Sequence, residues 1–486
     1  MKNYNRQLRN YWSIIFVCLL CPILLYAAVL VLPTHDDWAS TTTPDFTPFF
    51  TKEHFLFYGY HWRPFDTWIG YIAGRNPRLL YPAFNHCLVV LGHTLCTLLL
   101  YRLLNMLGFR KTSVNITTFF FFITPATMAT VLAVDSQNQV FSLIWSIVAF
   151  MAYTKIEKLK YVVWPLLIFI ATLSKENGLM WALICPLLAY GFDIISWKTL
   201  KKDLFIGIII IICYFVAIAI LPKDITIHPE YTPGPLKVVK NFIKMGFSSF
   251  ITVDYVYLLH APKRNLLLAA LTLILSAPFL CYMFLRKVSL YKQKKTICII
   301  LCMLIAVAPH LLTIFSMMHT YAGLPFVALL IANTTDEYKD NIKPIIASFL
   351  LFVLSAIMID IHLWHESVES GLTGKRMAKE AVRKTGRPVK SVYLIMIEED
   401  FTKLSSFCTI PYDAFGWGLA ARYETDYKWP ELICDTIVER TEDVYEKVSA
   451  MSRQVLQENS YDCVWVVDHE NIDVHDNQAI HSVIHR

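Results

Sequence analysis

Two adjacent carboxylates, Asp36 and Asp37, follow a long apolar run in the stretch LPTHDDWAS. In that position they can form the solvated end of a membrane helix and cap the segment that follows. A carboxylate can also act as a general base that removes a proton from an attacking hydroxyl group. Taken alone, the pair leaves both interpretations open.

Further polar residues that packing alone explains poorly lie beside other apolar segments. They are Arg63, Asp135, Lys175, Glu176, His319 and Tyr321. Charges next to the hydrocarbon are costly, so they tend to face protein or a water-filled cavity and to mark function. Lysine or arginine can bind a phosphate and stabilise its growing charge as it leaves. Together with a carboxylate base, such cations suit a reaction between a water-borne nucleophile and a lipid phosphate.

Each of these residues also has a structural interpretation. Lys175 and Glu176 can belong to a short turn between helices, with the lysine reaching to the interface. Asp135 alone can be an ordinary loop residue. His319 and Tyr321 can be an interfacial pair. His86 and His93 lie seven residues apart on one helical face, where hydrogen bonding within the bundle is the alternative to metal ligation. The cysteine spacing predicts no metal site, and the need for a divalent metal is left open.

Membrane helices are the elements that must position these residues. Of the 486 residues, 56% are hydrophobic and only 17% are charged, which is too little charge to cover a soluble protein of this size. A bilayer-spanning helix needs about 20 apolar residues. Eleven stretches approach this length, at 11–33, 79–101, 113–134, 139–154, 160–174, 178–196, 203–222, 264–286, 296–317, 320–333 and 344–363.

Lysine and arginine are concentrated in every second loop, a pattern that is typical of cytoplasmic loops. The clusters are Lys2, Arg6 and Arg9; Arg102, Arg110 and Lys111; Lys155, Lys158 and Lys160; Lys198, Lys201 and Lys202; Arg286, Lys287, Lys292, Lys294 and Lys295; and Lys339 and Lys343. This alternation predicts a cytoplasmic N-terminus and an extracytoplasmic C-terminal domain. It also predicts that the candidate site residues lie together on the outer face: Asp36, Asp37, Asp135, Lys175 and His319. The net charge of +6 gives no reason to expect nucleic acid as a partner.

The pattern divides the chain into a polytopic all-α membrane domain, residues 1–363, and a small soluble domain, residues 364–486. The first outer loop, 34–78, mixes aromatic and polar residues and predicts helices that lie along the interface. In the soluble domain, the segments SVYLIMI and CVWVVD predict strands and hence an α/β fold. A helical pattern there is predicted from Pro430 to about Gln457.

Several motifs in residues 10–335 resemble those of GT-C glycosyltransferases, multi-span enzymes that take sugar from a polyprenyl-phosphate donor. THDDW resembles the acidic motif of their first outer loop. YHWRPFDTWIGYIAGRNPRLLYPAFNHCLVVLGHTLCTLLLYRLL, ATLSKENGL and MHTYAGLPFVALL resemble, in the same order, segments of the protein O-mannosyltransferase-like branch. The resemblance implies a GT-C-like fold of about 11 transmembrane helices. It also implies a lipid-linked sugar donor and a glycan, lipid or protein acceptor at the outer face of the bilayer.

The resemblance assigns the catalytic base to Asp36, with Asp37 adjacent, and the acidic residue of the second outer loop to Asp135. It assigns the donor-phosphate cations to Lys175 and, less directly, Arg63. Where the family pattern has arginine, this chain has His319 before Thr320 and Tyr321, so a cation there depends on histidine protonation. The tetratricopeptide repeats of that branch are absent from the chain, so its acceptor is not carried over.

Two other functions fit a polytopic chain of this kind. One is a polysaccharide flippase, transporter or polymerase, which would more often place charges or broken helices near the middle of the membrane. The other is a sensor or partner module in the C-terminal domain, with the membrane part as its anchor. Eleven spans are more than anchoring requires.

Overall fold

The computed structural model describes residues 11–38, 63, 65, 72, 80–220, 234–252, 263–285, 289, 292–312, 316–338, 342–399, 408, 410–426, 428–458 and 460–476. The predicted interfacial helices of the first outer loop fall almost entirely outside these residues. The described chain is mostly helical, and a small sheet lies near its C-terminal end.

In the membrane part, helices overlap all eleven predicted spans, and one further helix, Pro235–Phe250, lies between two of these spans. The helices are α1 (Trp12–Val29), α2 (Ala83–Met106), α3 (Lys111–Ile123), α4 (Met128–Val131), α5 (Gln137–Lys155), α6 (Lys160–Ser174), α7 (Trp181–Gly191), α8 (Trp197–Ile220), α9 (Pro235–Phe250), α10 (Lys263–Phe284), α11 (Lys294–Leu311), α12 (Leu324–Glu337) and α13 (Ile342–Thr385).

By length and composition, five of the described helices could cross a membrane: α1, α2, α10, α11 and α13. The bent pair α3–α4 makes a sixth if it is counted as one span. The bend of 46° follows Thr124, which is extended because Pro125 comes next. These helices support an integral membrane protein, and the full number of eleven spans stays a prediction.

Four short 3-10 helices gather at the N-terminal end of α5. They are His35–Trp38, Val134–Ser136, Glu176–Met180 and Met317–Ala322. The first contacts the second, and α5 contacts the other three. All four contain residues that the sequence singles out, so the fold brings these separate motifs to one end of the bundle.

The basic loops meet at the opposite end of the bundle. Arg110 pairs with Asp336 at 3.1 Å, just before α12 ends. The ammonium group of Lys295 lies 4.0 Å from the ring centroid of Phe109 and 4.6 Å from that of Phe192. The two ends of the bundle therefore differ in charge, as the alternation of basic loops predicts. Which end faces the cytoplasm stays a prediction.

Asp203, near the start of α8, is an enclosed carboxylate at the basic end. It accepts hydrogen bonds from Tyr153 Oη at 2.5 Å, Lys160 Nζ at 2.7 Å and Tyr161 Oη at 3.0 Å, and its side chain is fully buried. These contacts join the ends of α5, α6 and α8.

We expect Asp203→Asn to lower the free energy of unfolding by about 3 kcal/mol, because it removes the buried carboxylate that compensates the half-buried Lys160 ammonium. The matched control is Asp193→Asn, which breaks the exposed pair with Lys294. An exposed ion pair contributes no more than about 1 kcal/mol. Unfolding of both variants in mixed micelles checks the difference, and equal losses would contradict the structural role of Asp203.

The soluble domain contains a four-stranded sheet in the order β2-β1-β3-β4. Its elements are β1 (Ser391–Ile397), α14 (Pro411–Ala414), α15 (Ala420–Glu424), β2 (Leu432–Val438), α16 (Val444–Gln457), β3 (Cys463–Asp468) and β4 (Asn471–Asp476). The central strand β1 is parallel to β2 and β3, with Val392 opposite both Ile433 and Cys463, and β4 is antiparallel to β3. The predicted strands SVYLIMI and CVWVVD are confirmed.

The helix predicted from Pro430 to Gln457 is wrong in its first half. Residues Leu432–Val438 form β2, and α16 begins only at Val444. Several residues of β2 are β-branched, which favours a pleated strand, and pairing with β1 satisfies its backbone. The apolar spacing in this stretch resembles a helical period although it belongs to an edge strand.

Helix α13 joins the two parts of the chain. It runs without a break for 44 residues and passes the predicted domain boundary at residue 363. Its first half packs against α10 in the membrane part, and its second half packs against α14, α15 and β4. One rigid element therefore leads from the bundle into the soluble domain.

Candidate active site

The acidic motif forms the 3-10 turn His35–Trp38 shortly after α1. The Asp37 carboxylate is buried in this turn. Its Oδ1 accepts hydrogen bonds from the backbone N–H groups of Val134 at 2.9 Å and Asp135 at 3.0 Å. Its Oδ2 accepts one from the Thr34 N–H at 3.2 Å. Asp37 thus ties this turn to the turn Val134–Ser136, while the side chain of Asp36 lies outside the described part of the chain.

Asp135 follows the point at which the two turns meet. Its backbone N–H donates to Asp37, and its half-buried side chain receives a 3.5 Å contact from Ser136 Oγ. The two acidic motifs are therefore adjacent in space, although 98 positions separate them in the sequence.

Polar residues at the start of α5 continue the site. Lys175 is 7% exposed, and its ammonium group lies 3.4 Å from Asn138 Oδ1. The Lys175 carbonyl accepts hydrogen bonds from the Gly178 N–H at 2.9 Å and from Ser142 Oγ at 3.4 Å. These bonds fix the turn that carries the lysine. Positions 135 and 138 are about one helical turn apart, roughly 5 Å along an axis, so Lys175 lies near the acidic turn.

Arg63 reaches the same turn from the first outer loop. Its Nε and Nη2 donate to the two carboxylate oxygens of Glu176 at 2.8 and 2.7 Å. A bidentate pair of this kind fixes orientation as well as charge. Glu176 therefore holds Arg63 beside Lys175 and offsets part of the positive charge of the site.

Two histidines, His310 and His319, stack on each other beside this group of residues. The rings of His310 and His319 lie 4.4 Å apart at an interplanar angle of 15°. His319 Nδ1 accepts a hydrogen bond from the Ser316 N–H at 3.4 Å. A histidine that accepts at Nδ1 is neutral, so it can donate from Nε2 but brings no positive charge. His310 is close enough to interact electrostatically with the charges of Lys175, Glu176 and Arg63.

His93 and Tyr321 lie inside the helix bundle instead of at this site. Tyr321 is fully buried, and its hydroxyl lies 2.9 Å from His93 Nδ1. His93 also stacks on Phe122 and contacts the carbonyl of that residue at 3.2 Å. These contacts pack both residues within the bundle, and donor-phosphate binding by Tyr321 stays a prediction.

His86 shares its helix with His93 but contacts a different partner. Its Nε2 lies 2.9 Å from the Val31 carbonyl, at the end of the segment that leads to the acidic turn. The two histidines therefore make separate hydrogen bonds within the bundle, and they do not converge on a common ligand.

Metal binding finds no support in the described residues. They contain no group of three or more histidine, cysteine, aspartate or glutamate side chains that could hold a metal ion. Both Asp37 oxygens already accept backbone N–H groups. No step of the reaction is assigned to a metal ion.

Asn138 and His310 are site residues that no sequence motif singled out. The signals are present in the chain: three amides, Gln137 to Gln139, are buried at the start of α5, and His310 is an ionisable residue within an apolar helix. Neither signal predicts the contact that the residue makes. The partners, Lys175 for Asn138 and His319 for His310, come from other segments of the chain.

No family model and no curated protein matches the chain. Among solved structures it is similar to an oligosaccharyltransferase of Archaeoglobus fulgidus, crystallised in complex with Zn and sulfate. The two share 13% sequence identity and a TM-score of 0.44, over 91% of this chain and 67% of that chain. A TM-score at this level does not establish a common fold or a common site.

Proposed function

We propose that the chain is a membrane glycosyltransferase of the GT-C type. It would move a sugar from a polyprenyl-phosphate donor to a glycan, lipid or protein acceptor at the outer face of the bilayer. The observation that supports this most is the junction at the start of α5. There Asp37 binds the backbone of residues 134–135, and Lys175 contacts Asn138 one turn further on. A carboxylate motif and a cation are thus held together at the end of the bundle opposite the basic loops.

In the proposed reaction, Asp36 removes the proton from an acceptor hydroxyl. The hydroxyl oxygen attacks the anomeric carbon from the face opposite the phosphate, so the configuration inverts. The bond from that carbon to the phosphate oxygen breaks, and polyprenyl phosphate leaves with the bonding electrons. The Lys175 ammonium stabilises the negative charge that the leaving phosphate gains.

The other residues of the site would position these two groups. Asp37 fixes the turn that carries Asp36, and Asn138 orients the lysine. Arg63, held by Glu176, adds a second cation, and neutral His319 can donate a hydrogen bond to a phosphate oxygen. Such preorganised donors need no rearrangement at the moment of reaction.

Flippase, transporter or polymerase activity is the alternative. Ion pairs among the described residues of the membrane part lie toward its two ends, which fits chemistry at one face better than a substrate path across the bilayer.

The deciding experiment uses the full-length protein in proteoliposomes with radiolabelled polyprenyl-phosphate sugars and candidate acceptors. We expect labelled acceptor and free polyprenyl phosphate to form in equal amounts, with none in protein-free vesicles. Movement of labelled lipid across the bilayer without bond formation would instead establish translocation.

A further inference from the structure

The acidic turn ends in Trp38, whose side chain packs with the soluble domain. Trp38 is 3% exposed and belongs to the same apolar core as Met377, Tyr412 and Phe415. Its ring centroid lies 5.4 Å from that of Tyr423 on α15 and 6.2 Å from that of Tyr81. The residue directly after the acidic pair is therefore packed by a segment of the C-terminal domain.

The segment that receives Trp38 is shaped by glycine. Gly416 has a φ of +58°, and a Cβ atom there would lie 2.4 Å from Trp38 Cδ1. Trp417 and Gly418 also have positive φ values, of 53° and 88°. Only glycine combines this backbone conformation with so close an approach to the indole ring. The contact is therefore built into the backbone of the soluble domain.

Helix α13 contacts both the segment before the acidic turn and the segment that packs on Trp38. A Cβ atom at Gly371 would lie 2.7 Å from Leu32 Cβ, just before the acidic turn. A Cβ atom at Gly374, one helical turn later, would lie 2.0 Å from the Ala414 carbonyl oxygen, just before the Trp38 contact. One face of one helix thus touches the backbone of both segments. The distance between the acidic turn and residues 414–416 is set by this rigid element.

Tyr81, just before helix α2 of the membrane part, also contacts the acidic turn. Its hydroxyl donates a 2.5 Å hydrogen bond to the Asp37 carbonyl, and its ring packs in the same core as Trp38. The turn is held by residues 134–135 and Tyr81 on one side and by the soluble domain on the other. Its position therefore depends on both parts of the chain.

We infer that the C-terminal domain positions the catalytic acidic turn through Trp38, and that it is part of the catalytic unit instead of a separate sensor module. This inference rests on the proposed function for the role of the turn. Trp38 is a positioning residue, because it acts through the neighbouring carboxylates and not on the substrate. A displacement of about 1 Å in a catalytic group can cost about 100-fold in rate, so the contact matters for turnover.

Gly416→Ala tests the inference, with Gly386→Ala as its matched control. Gly386 follows the end of α13 and has a similar φ of +66°, but its nearest heavy atom to a built Cβ is 4.0 Å away. Both changes impose the same kind of backbone cost, and only one displaces Trp38. We expect Gly416→Ala to lower the kcat of transfer about tenfold, with little change in KM for the donor, and Gly386→Ala to leave kcat near that of the wild type.

Repeating Gly416→Ala in a Trp38→Ala protein distinguishes the displacement of Trp38 from a general loss of structure around Gly416. Without the indole ring, the closest Trp38 atom to a Cβ at Gly416 is the Cβ of residue 38 at 3.3 Å instead of Cδ1 at 2.4 Å, so Gly416→Ala should cost much less there than in the wild type. A second readout is independent of transfer. In Asp36→Cys protein, the rate of modification at position 36 by a membrane-impermeant maleimide, followed by mass spectrometry, should change several-fold with Gly416→Ala and not with Gly386→Ala.

The two readouts distinguish the possible failures. If the wild type transfers no sugar, the proposed function fails, and the labelling rate alone decides whether the soluble domain holds the turn. If the wild type transfers sugar but Gly416→Ala matches Gly386→Ala in both kcat and labelling, the inference is overturned. It is also overturned if Gly416→Ala costs as much in the Trp38→Ala background as in the wild type.

Discussion

Asp36→Asn is expected to lower the rate of sugar transfer by about 10²–10⁴-fold, the range that a general base contributes to a reaction. The amide has nearly the same size as the carboxylate but cannot take the proton of the acceptor hydroxyl. We expect the free energy of unfolding to stay near that of the wild type. Turnover of labelled donor and unfolding in mixed micelles measure the two quantities on the same preparation. Full activity in this variant would show that the base is another residue.

The neighbouring variant Asp37→Asn should behave in the opposite way. Three backbone N–H groups donate to the Asp37 carboxylate, and its charge strengthens each of these bonds. We expect the free energy of unfolding to fall by about 1.5–3 kcal/mol, the contribution of hydrogen bonds to a charged group. Activity per folded molecule should fall less than in Asp36→Asn. A stable but inactive Asp37→Asn protein would exchange the roles of the two carboxylates.

Lys175→Met is expected to lower kcat by about 10²–10³-fold, comparable with the loss of one donor that stabilises a developing charge. Methionine keeps the length of the side chain and removes the ammonium group. Because the phosphate gains charge only as the glycosidic bond breaks, the loss should appear in kcat more than in KM for the donor. Initial rates over a range of donor concentrations separate the two constants.

Lys175→Arg is the matched control for this experiment, because it keeps the charge and loses only the compact shape of the ammonium group. It should retain more activity than Lys175→Met. If both variants raise KM alone, the lysine binds the ground state of the donor. If neither variant alters kinetics, the donor phosphate lies elsewhere.

The parts of the fold that depend on local composition could be predicted from the sequence. Every predicted span overlaps a helix, because a long apolar run has few other ways to satisfy its backbone in a bilayer. The strand β1 is recognisable from its β-branched and aromatic residues. The strand β2 is not, because an edge strand is only half buried and its apolar spacing resembles a helical period.

The site is harder to predict because its partners are distant in the sequence. The order of the motifs and the alternation of basic loops place Asp37, Asp135 and Lys175 on one face. They cannot reveal that Asp37 binds backbone groups at 134–135, or that His310 stacks on His319. The partner segment of Trp38, near Gly416, comes hundreds of residues later, and no local pattern connects the two.

The packing of Trp38 against residues 412–423 also has a consequence for the time at which the protein matures. A ribosome makes the acidic turn early and the segment that encloses it late. The turn therefore reaches its final packing only after residues 412–423 have been synthesised and have folded. Membrane insertion of the first helices cannot complete this centre, and in a nascent chain the carboxylates lack their final surroundings until residues 412–423 have left the ribosome.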